Sequence, residues 1–321
     1  MRASWPASKR HWRKSPVDTA LIDTLAVVGV GLIGGSFALA LKQAGLVRHV
    51  IGVGRGRTNL EAALQLGLID AIAEQAAQAY ARADFILVAT PVGQMARVFA
   101  DIVPVLQPGA VVSDAGSTKC DVVAIARAAF GARIGQFVPA HPIAGAEQNG
   151  AAAARIDLYR GKKLVIAAMP ETDAAAVARV EAAWRACGAR IHAMSPELHD
   201  KTFAAVSHLP HVLAFALVDE IARKPHAHTL FQFAASGFRD FTRIAGGSPE
   251  MWRDIALANR DALLAEVDQY MARLAAVRGM IAAADAQALD VVFSNARNAR
   301  QAWLDSIEAG EAPPGAAARA S

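Results

Sequence analysis

The sequence predicts an α/β fold: a mainly parallel sheet wound on both faces by helices, followed by an all-helical second half. Three observations carry this. A β-branched run ends in Gly29-Val30-Gly31-Leu32-Ile33-Gly34 and opens into the apolar helical pattern FALALKQAG. Strand-like runs then alternate with helical stretches as far as about residue 194, which is the signature of consecutive βα units. Beyond that point the strand signals stop and amphipathic helical spacing takes over.

Each element follows from the residues. TLAVVGV (24–30) reads as a buried strand, and the GxGxxG that follows sits between strand and helix. Gly29 allows the tight turn, Gly31 lets backbone approach a pyrophosphate, and Gly34 lets helix and strand pack closely. Leu32 and Ile33 open the helix whose free N–H groups face the phosphates. This is a Rossmann-type dinucleotide site. The next strand, HVIGVG (49–54), ends in glycine where an NAD enzyme usually carries Asp or Glu for the ribose hydroxyls. Arg55 and Arg57 follow, two guanidiniums able to hold a 2′-phosphate, so the sequence favours NADP over NAD; an exposed arginine turn that accepts either cofactor is the alternative. Further strands are expected at 84–92, within 110–119 (where the strand ends in a polar, glycine-containing loop), and at 137–142, 163–168 and 189–194. The loops holding Thr90-Pro91, Ser117-Thr118-Lys119 and His141-Pro142 then all fall beyond strand carboxyl ends, where ligands bind in such sheets.

In the second half, Ser195-Pro196-Glu197 reads as an N-cap, a proline at the first helical position and an acid near the positive helix end. Helices run to about residue 308, with breaks expected near Pro210, Lys224-Pro225 and Gly246-Gly247-Ser248-Pro249. A helical half with this many apolar faces is expected to dimerise. The organisation read from these signals is a basic, disordered leader (1–22), a dinucleotide-binding domain (23–194), a helical substrate and dimerisation domain (195–308) and a disordered tail (309–321).

Composition narrows the function classes. The 321 residues are 54% hydrophobic and 19% charged, enough for a sizeable core without disulfide or metal staples. Only two cysteines occur, Cys120 and Cys187, without CxxC spacing, which argues against a zinc site and for a reducing, cytoplasmic compartment. The net charge of +4 is concentrated in the leader, leaving a near-neutral body with little support for nucleic-acid binding. No apolar run of about 18 residues is apparent, so no membrane span is expected.

GLIGGS (31–36), DAGSTK (114–119), HPIAGAEQNG (141–150), SHLPH (207–211) and GFRDFTRIAGGSPEMWRDI (237–255) stand in one order along residues 24–308. Together they resemble the prephenate/arogenate (cyclohexadienyl) dehydrogenases of tyrosine biosynthesis. The resemblance implies oxidative decarboxylation of a cyclohexadienol with NAD or NADP, in a homodimer. It implies that His141 accepts the C4 hydroxyl proton and that Ser117 supports hydroxyl and histidine. Arg243 would bind the ring carboxylate, with Asp240 three residues earlier able to orient it, Glu147 would gate the pocket, and His211 would contact the substrate side chain with Ser207 nearby. In a helix Ser207 and His211 share a face. The alternatives for these residues are a rigid His-Pro turn at 141–142, a helix N-cap at Ser117, an Arg243–Asp240 ion pair and a solvated loop carboxylate at Glu147.

The pocket position at His211 is not acidic, which leans toward the keto acid prephenate over the amino acid arogenate. The span of the motifs leaves no room for a fused domain before residue 23 or a regulatory one after 308, so any inhibition by tyrosine is expected to be competition in the active site. A hydroxy-acid dehydrogenase using Lys201 and a non-catalytic nucleotide-binding module are the rival readings.

Overall fold

The structure is a computed structural model and describes residues 20–145 and 148–308. Most of the expected leader, the tail from 309, and Ala146 and Glu147 lie outside the described residues.

Strands and helices alternate from the start: β1 (Ile22–Val28), α1 (Leu32–Gln43), β2 (Val47–Val53), α2 (Arg57–Gln65), β3 (Ala71–Ile72), α3 (Ala76–Arg82), β4 (Phe85–Val88), α4 (Met95–Ile102), β5 (Val111–Asp114), α5 (Cys120–Phe130) and β6 (Phe137–Val138). All pairings are parallel, in the order β3-β2-β1-β4-β5-β6. The order reverses between β1 and β4, which opens a crevice at their carboxyl ends. β4 and the Leu25–Val28 end of β1 are apolar throughout because both faces are covered. On one face Phe37 packs against Trp184, ring centroids 4.6 Å apart. On the other, Phe99 lies edge-on to Phe130 and Phe137 at 5.5 and 5.1 Å.

The chain departs from the expected single sheet at residue 139. The stretch 137–142 was expected to be one strand, and it splits at Pro139, which has no N–H for a ladder. A second sheet follows, of β7 (Ala140–Pro142), β8 (Lys163–Ile166) and, after α6 (Ala174–Ala186), β9 (Arg190–Ala193), in the order β7-β8-β9 with β7 antiparallel to β8. His141 therefore sits inside a strand, opposite Val165, rather than after one. The two-residue β3 was not anticipated, being too short to leave a pattern.

Helices alone follow β9 among the described residues: α7 (Pro196–Phe203), a π turn (Ala204–His208), α8 (Leu209–Ala222), α9 (Ala227–Gln232), α10 (Ser236–Thr242), α11 (Pro249–Ala258), α12 (Arg260–Ala282) and α13 (Ala286–Glu308). Ser195 caps α7 through its Oγ, which accepts from Leu198 N at 3.2 Å. Pro210 does not break the helix as expected. The π turn just before it widens the coil by one residue, which accommodates the missing N–H and the bulk of the ring. The unbroken run Pro196–Ala222 is thereby long and apolar enough to cross a membrane, with mean hydropathy 1.3, correcting the expectation that no such run exists. It carries buried His199, Asp200 and His208, whose hydrogen bonds to α5, β7 and Asn259 hold it against protein. Ile255 of α11, 2% exposed, completes the core face around Phe99. A division at Leu263/Leu264 separates a second unit, made of most of α12 and of α13 joined through a turn at Ala284, whose φ is 52°.

Replacing Phe99 by Ala removes a fully buried ring at the centre of an aromatic trio. The expected loss is about 3–5 kcal/mol, read as a lower denaturant midpoint with unchanged slope.

Candidate active site

The glycine-rich turn is built for a close ligand. Gly29 has φ +93°, and a Cβ there would lie 2.6 Å from the Ala89 carbonyl oxygen. A Cβ on Gly34 would lie 2.4 Å from the Gly29 carbonyl and 2.6 Å from Val27 Cγ1, so only glycine lets α1 meet β1 this closely. At Gly31 nothing stands within 4 Å of the Cβ position, and Leu32 and Ile33 form the first turn of α1 behind it. Across the crevice, beyond β4, the Thr90 hydroxyl is buried without a hydrogen-bond partner among the described residues, and Pro91 starts the next turn. An open helix N-terminus facing an orphaned buried hydroxyl fits a dinucleotide phosphate and its ribose. Arg55 and Arg57 follow β2 and are exposed; Arg57 Nε donates to Glu61 at 2.8 Å.

The polar centre lies at the carboxyl edge of the sheet. Asp114, at the end of β5, is fully buried and paired with equally buried Lys119, Nζ to Oδ2 2.5 Å. Its oxygens also accept from Gly116 N at 2.7 Å and from Ala140 N at 3.0 Å, fastening the 115–119 loop to β7. His141, partly exposed, sets Nδ1 2.8 Å from His199 Nε2. His199 sets Nδ1 2.7 Å from Asp200 Oδ1. Asp200 accepts from Lys119 N and Cys120 N, both at 2.8 Å, at the start of α5. Asn259 Nδ2 donates to the Asp200 carbonyl at 2.8 Å and lies 3.1 Å from His208 Nδ1.

These contacts set the charge states. Burial, helped by His199, Lys119 and His208, holds His141 well below the usual histidine range. Burial also lowers His199, against the opposing pull of Asp200. His208 is pushed down to about 4, mainly by burial. Burial alone would raise Asp200, but the bonds from His199, Cys120 and Lys119 outweigh it and keep the carboxyl low. Burial and Asp200 push the Cys120 thiol up to about 12, so it is no nucleophile.

The other sequence-derived residues fall as follows. Ser117 is half-buried in the loop after β5, and its backbone borders His208. It is not the cap of α5; that position is Lys119, whose side chain makes no cap bond, and Asp200 fills the role. His211 donates from Nδ1 to the Ser207 carbonyl at 2.8 Å, the shared face expected of residues four apart. Its ring stacks on Trp252, centroids 3.5 Å apart at 21°. Arg243, just after α10, is exposed and acts electrostatically on His211. Asp240 is exposed and takes Arg239 Nε at 3.4 Å. Glu147 lies outside the described residues. Lys201, the rival catalytic candidate, is exposed on α7. Sequence reasoning passed over His199, Asp200, Asn259 and Trp252. An adjacent His-Asp pair early in a helix was the available signal.

A dinucleotide cradle, a neutral, half-buried histidine beside the sheet edge and a helical second half define a nicotinamide-dependent dehydrogenase. The chain belongs to the prephenate dehydrogenase family. The model of the family's nucleotide-binding domain matches residues 37–193, and that of its dimerization domain matches residues 195–295. The chain is 35% identical to the prephenate dehydrogenase of Bacillus subtilis (strain 168) over 280 residues, 87% of this chain and 75% of the relative. It is 34% identical to the cyclohexadienyl dehydrogenase of Zymomonas mobilis over 280 residues, 87% and 95% of the two chains. Its structure superposes on that of the A. aeolicus prephenate dehydrogenase in complex with hydroxyphenyl propionate and NAD+ with a TM-score of 0.82. That alignment has 33% identity and covers 87% and 97% of the two chains.

A histidine lowered on folding binds fewer protons folded than unfolded. Stability is then complete above the unfolded value near 6.5 and falls as pH drops toward the folded value. For His208, lowered to about 4, the loss between those limits is on the order of 3 kcal/mol. Unfolding curves between pH 7 and 4 should show it, and the His208→Gln protein should show a shallower fall.

Proposed function

We propose that this chain oxidatively decarboxylates prephenate, arogenate or both, as an NAD(P)-dependent step of tyrosine biosynthesis. The observation that carries the reading is His141: a histidine kept neutral in β7, a strand that Asp114 ties to the carboxyl edge of the sheet bearing the dinucleotide cradle. Family membership supplies the substrate class, and the cofactor supplies a two-electron hydride acceptor.

The chain's own groups then divide the work. The glycine turn and the first turn of α1 hold the pyrophosphate, and Thr90 and Pro91 line the far side of the crevice. His141 takes the C4 hydroxyl proton as C4 becomes a carbonyl. Carbon dioxide then leaves C1, its bonding electrons pass through the ring to that oxygen, and the proton returns to it to give the phenol. Protons therefore balance within the site, and a base with a low proton affinity suits this short loan. Ser117 supports the hydroxyl. Arg243 binds the ring carboxylate, and the interaction must stay modest because that carboxylate is the leaving group. His211, braced by Trp252 and the Ser207 carbonyl, faces the side chain, with Glu147 as gate and Asp240 orienting Arg243. A non-acidic His211 favours prephenate over arogenate, and tyrosine inhibits, if at all, by occupying the same site.

NADP is favoured over NAD. Support comes from Gly54 in place of an acidic residue and from exposed Arg55 and Arg57, whose Glu61 pair is an exposed i,i+4 contact that a phosphate displaces easily. A homodimer is supported by large apolar side chains left uncovered in the single chain, Phe233 at 79% and Leu257 at 66% exposed among them. Two unpaired thiols suit the reducing cytoplasm.

Steady-state turnover of prephenate and arogenate, each with NAD+ and NADP+, tests the reading. Folded, cofactor-binding protein that turns over none of the four pairs refutes it. His141→Asn should lower kcat by about 10²–10⁴-fold. Arg55→Ala should raise KM for NADP+ while leaving KM for NAD+ within twofold, and light scattering should give twice the 33.7 kDa chain mass.

A further inference from the structure

His141 does not stand alone. Its Nδ1 lies 2.8 Å from His199 Nε2, and His199 Nδ1 lies 2.7 Å from Asp200 Oδ1. The direction of each bond can be worked out from the far end. Asp200 accepts two backbone N–H groups, from Lys119 and Cys120, at the positive end of α5. It is therefore an ionised acceptor, and the ring nitrogen facing it must carry hydrogen. A neutral imidazole has one N–H, so His199 Nε2 holds a lone pair. The nitrogen of His141 that meets this lone pair must then be the donor, and Nε2 on the other edge of the His141 ring is left as the bare acceptor.

We propose that His199 and Asp200 are positioning residues that lock His141 as the Nδ1–H tautomer and aim its Nε2 lone pair at the substrate hydroxyl. The proposal rests on the dehydrogenase reading above and deepens it. Phe203 holds the two rings in place, its centroid 5.0 Å from His141 and 4.5 Å from His199. The hydrogen-bonded relay also explains how a half-buried imidazole survives the moment it carries the proton. Lys119 from the sheet edge, His199 from α7 and His208 from the π turn act on His141, while Asp114, Lys119 and Asp200 act on His199. Asp114 and Lys119 form a buried pair, of which Lys119 still disfavours charge on His141. Asp200 is the anion that answers the imidazolium, through His199. On protonation the His141–His199 bond becomes charge-assisted, which strengthens it when it is needed.

The test uses the full-length enzyme with prephenate and NAD+. His199→Leu removes both ring nitrogens, whereas His199→Gln keeps an amide able to accept from His141 and donate to Asp200. The Leu variant should lose about 10²–10³-fold in kcat, with KM for prephenate and Kd for NAD+ within threefold of wild type. The Gln variant should recover to within tenfold of wild type. A kcat for the Leu variant within threefold of wild type overturns the proposal, as does an equal loss in both variants. Should the Leu variant fail to fold, the wild-type protein still decides. Nitrogen-15 imidazole spectra of the ¹⁵N-histidine-labelled protein should show His141 with hydrogen on Nδ1 and a bare Nε2. Hydrogen on Nε2 overturns the proposal whatever the turnover. Hydrogen on Nδ1 in a protein that oxidises neither prephenate nor arogenate upholds the tautomer and sinks the dehydrogenase reading instead.

Discussion

Asp200 belongs to the helical half of the chain and gives both carboxylate oxygens to the first backbone N–H groups of α5, a helix of the sheet half. The arrangement of the site depends on that bond pair. It closes the N-terminus of α5, where Lys119 offers no side-chain cap. It fixes α7 against the carboxyl edge of the sheet, and it leaves Oδ1 aligned with His199 and, through it, with His141. A carboxylate buried beside a helix N-terminus is stabilised by the helix dipole as well as by its hydrogen bonds, so it can stay ionised away from water. Removing one partner of such a buried charge leaves the others unsatisfied, which makes the network an all-or-none device.

The surrounding groups are arranged around this constraint. Asp114 ties the 115–119 loop to β7 through Gly116 and Ala140, so the loop that bears Ser117 and the strand that bears His141 are fastened to the same carboxylate. Asn59 performs a similar task on the cofactor side. It donates to the Val30 carbonyl at 2.7 Å and accepts from Ala151 N at 2.8 Å, linking the glycine-rich turn to the segment after β7. The strand that bears the proton acceptor and the turn that forms the cofactor cradle are thus fastened to each other across two sheets, which is the condition for holding two reactants in register.

The sequence carried some of this architecture openly and hid the rest. The cofactor turn was legible because its pattern is local: strand, glycines and helix follow one another within a few residues, even though the backbone that excludes a side chain at Gly29 is that of Ala89. The order of βα units and the end of strand signals near residue 194 were legible for the same reason. His141 was visible as a family motif, but not its seat inside β7, because a single proline at 139 turns one apparent strand into two that join different sheets. The π turn before Pro210 was hidden because proline marks a disturbance without saying whether the helix ends or widens. Least legible was the His199–Asp200 pair. Its partners lie 58 and 80 residues away, a separation that no periodicity or spacing encodes.

The central claim is that His141 meets the reacting hydroxyl through Nε2 while its Nδ1 is held from behind. A crystal structure of the enzyme with NAD+ and a hydroxyphenyl acid tests it most directly. The account predicts the phenol oxygen within hydrogen-bond distance of His141 Nε2, with the Nδ1–His199–Asp200 chain intact. A phenol oxygen bonded elsewhere, or a His141 ring turned so that Nδ1 faces the ligand, would contradict it.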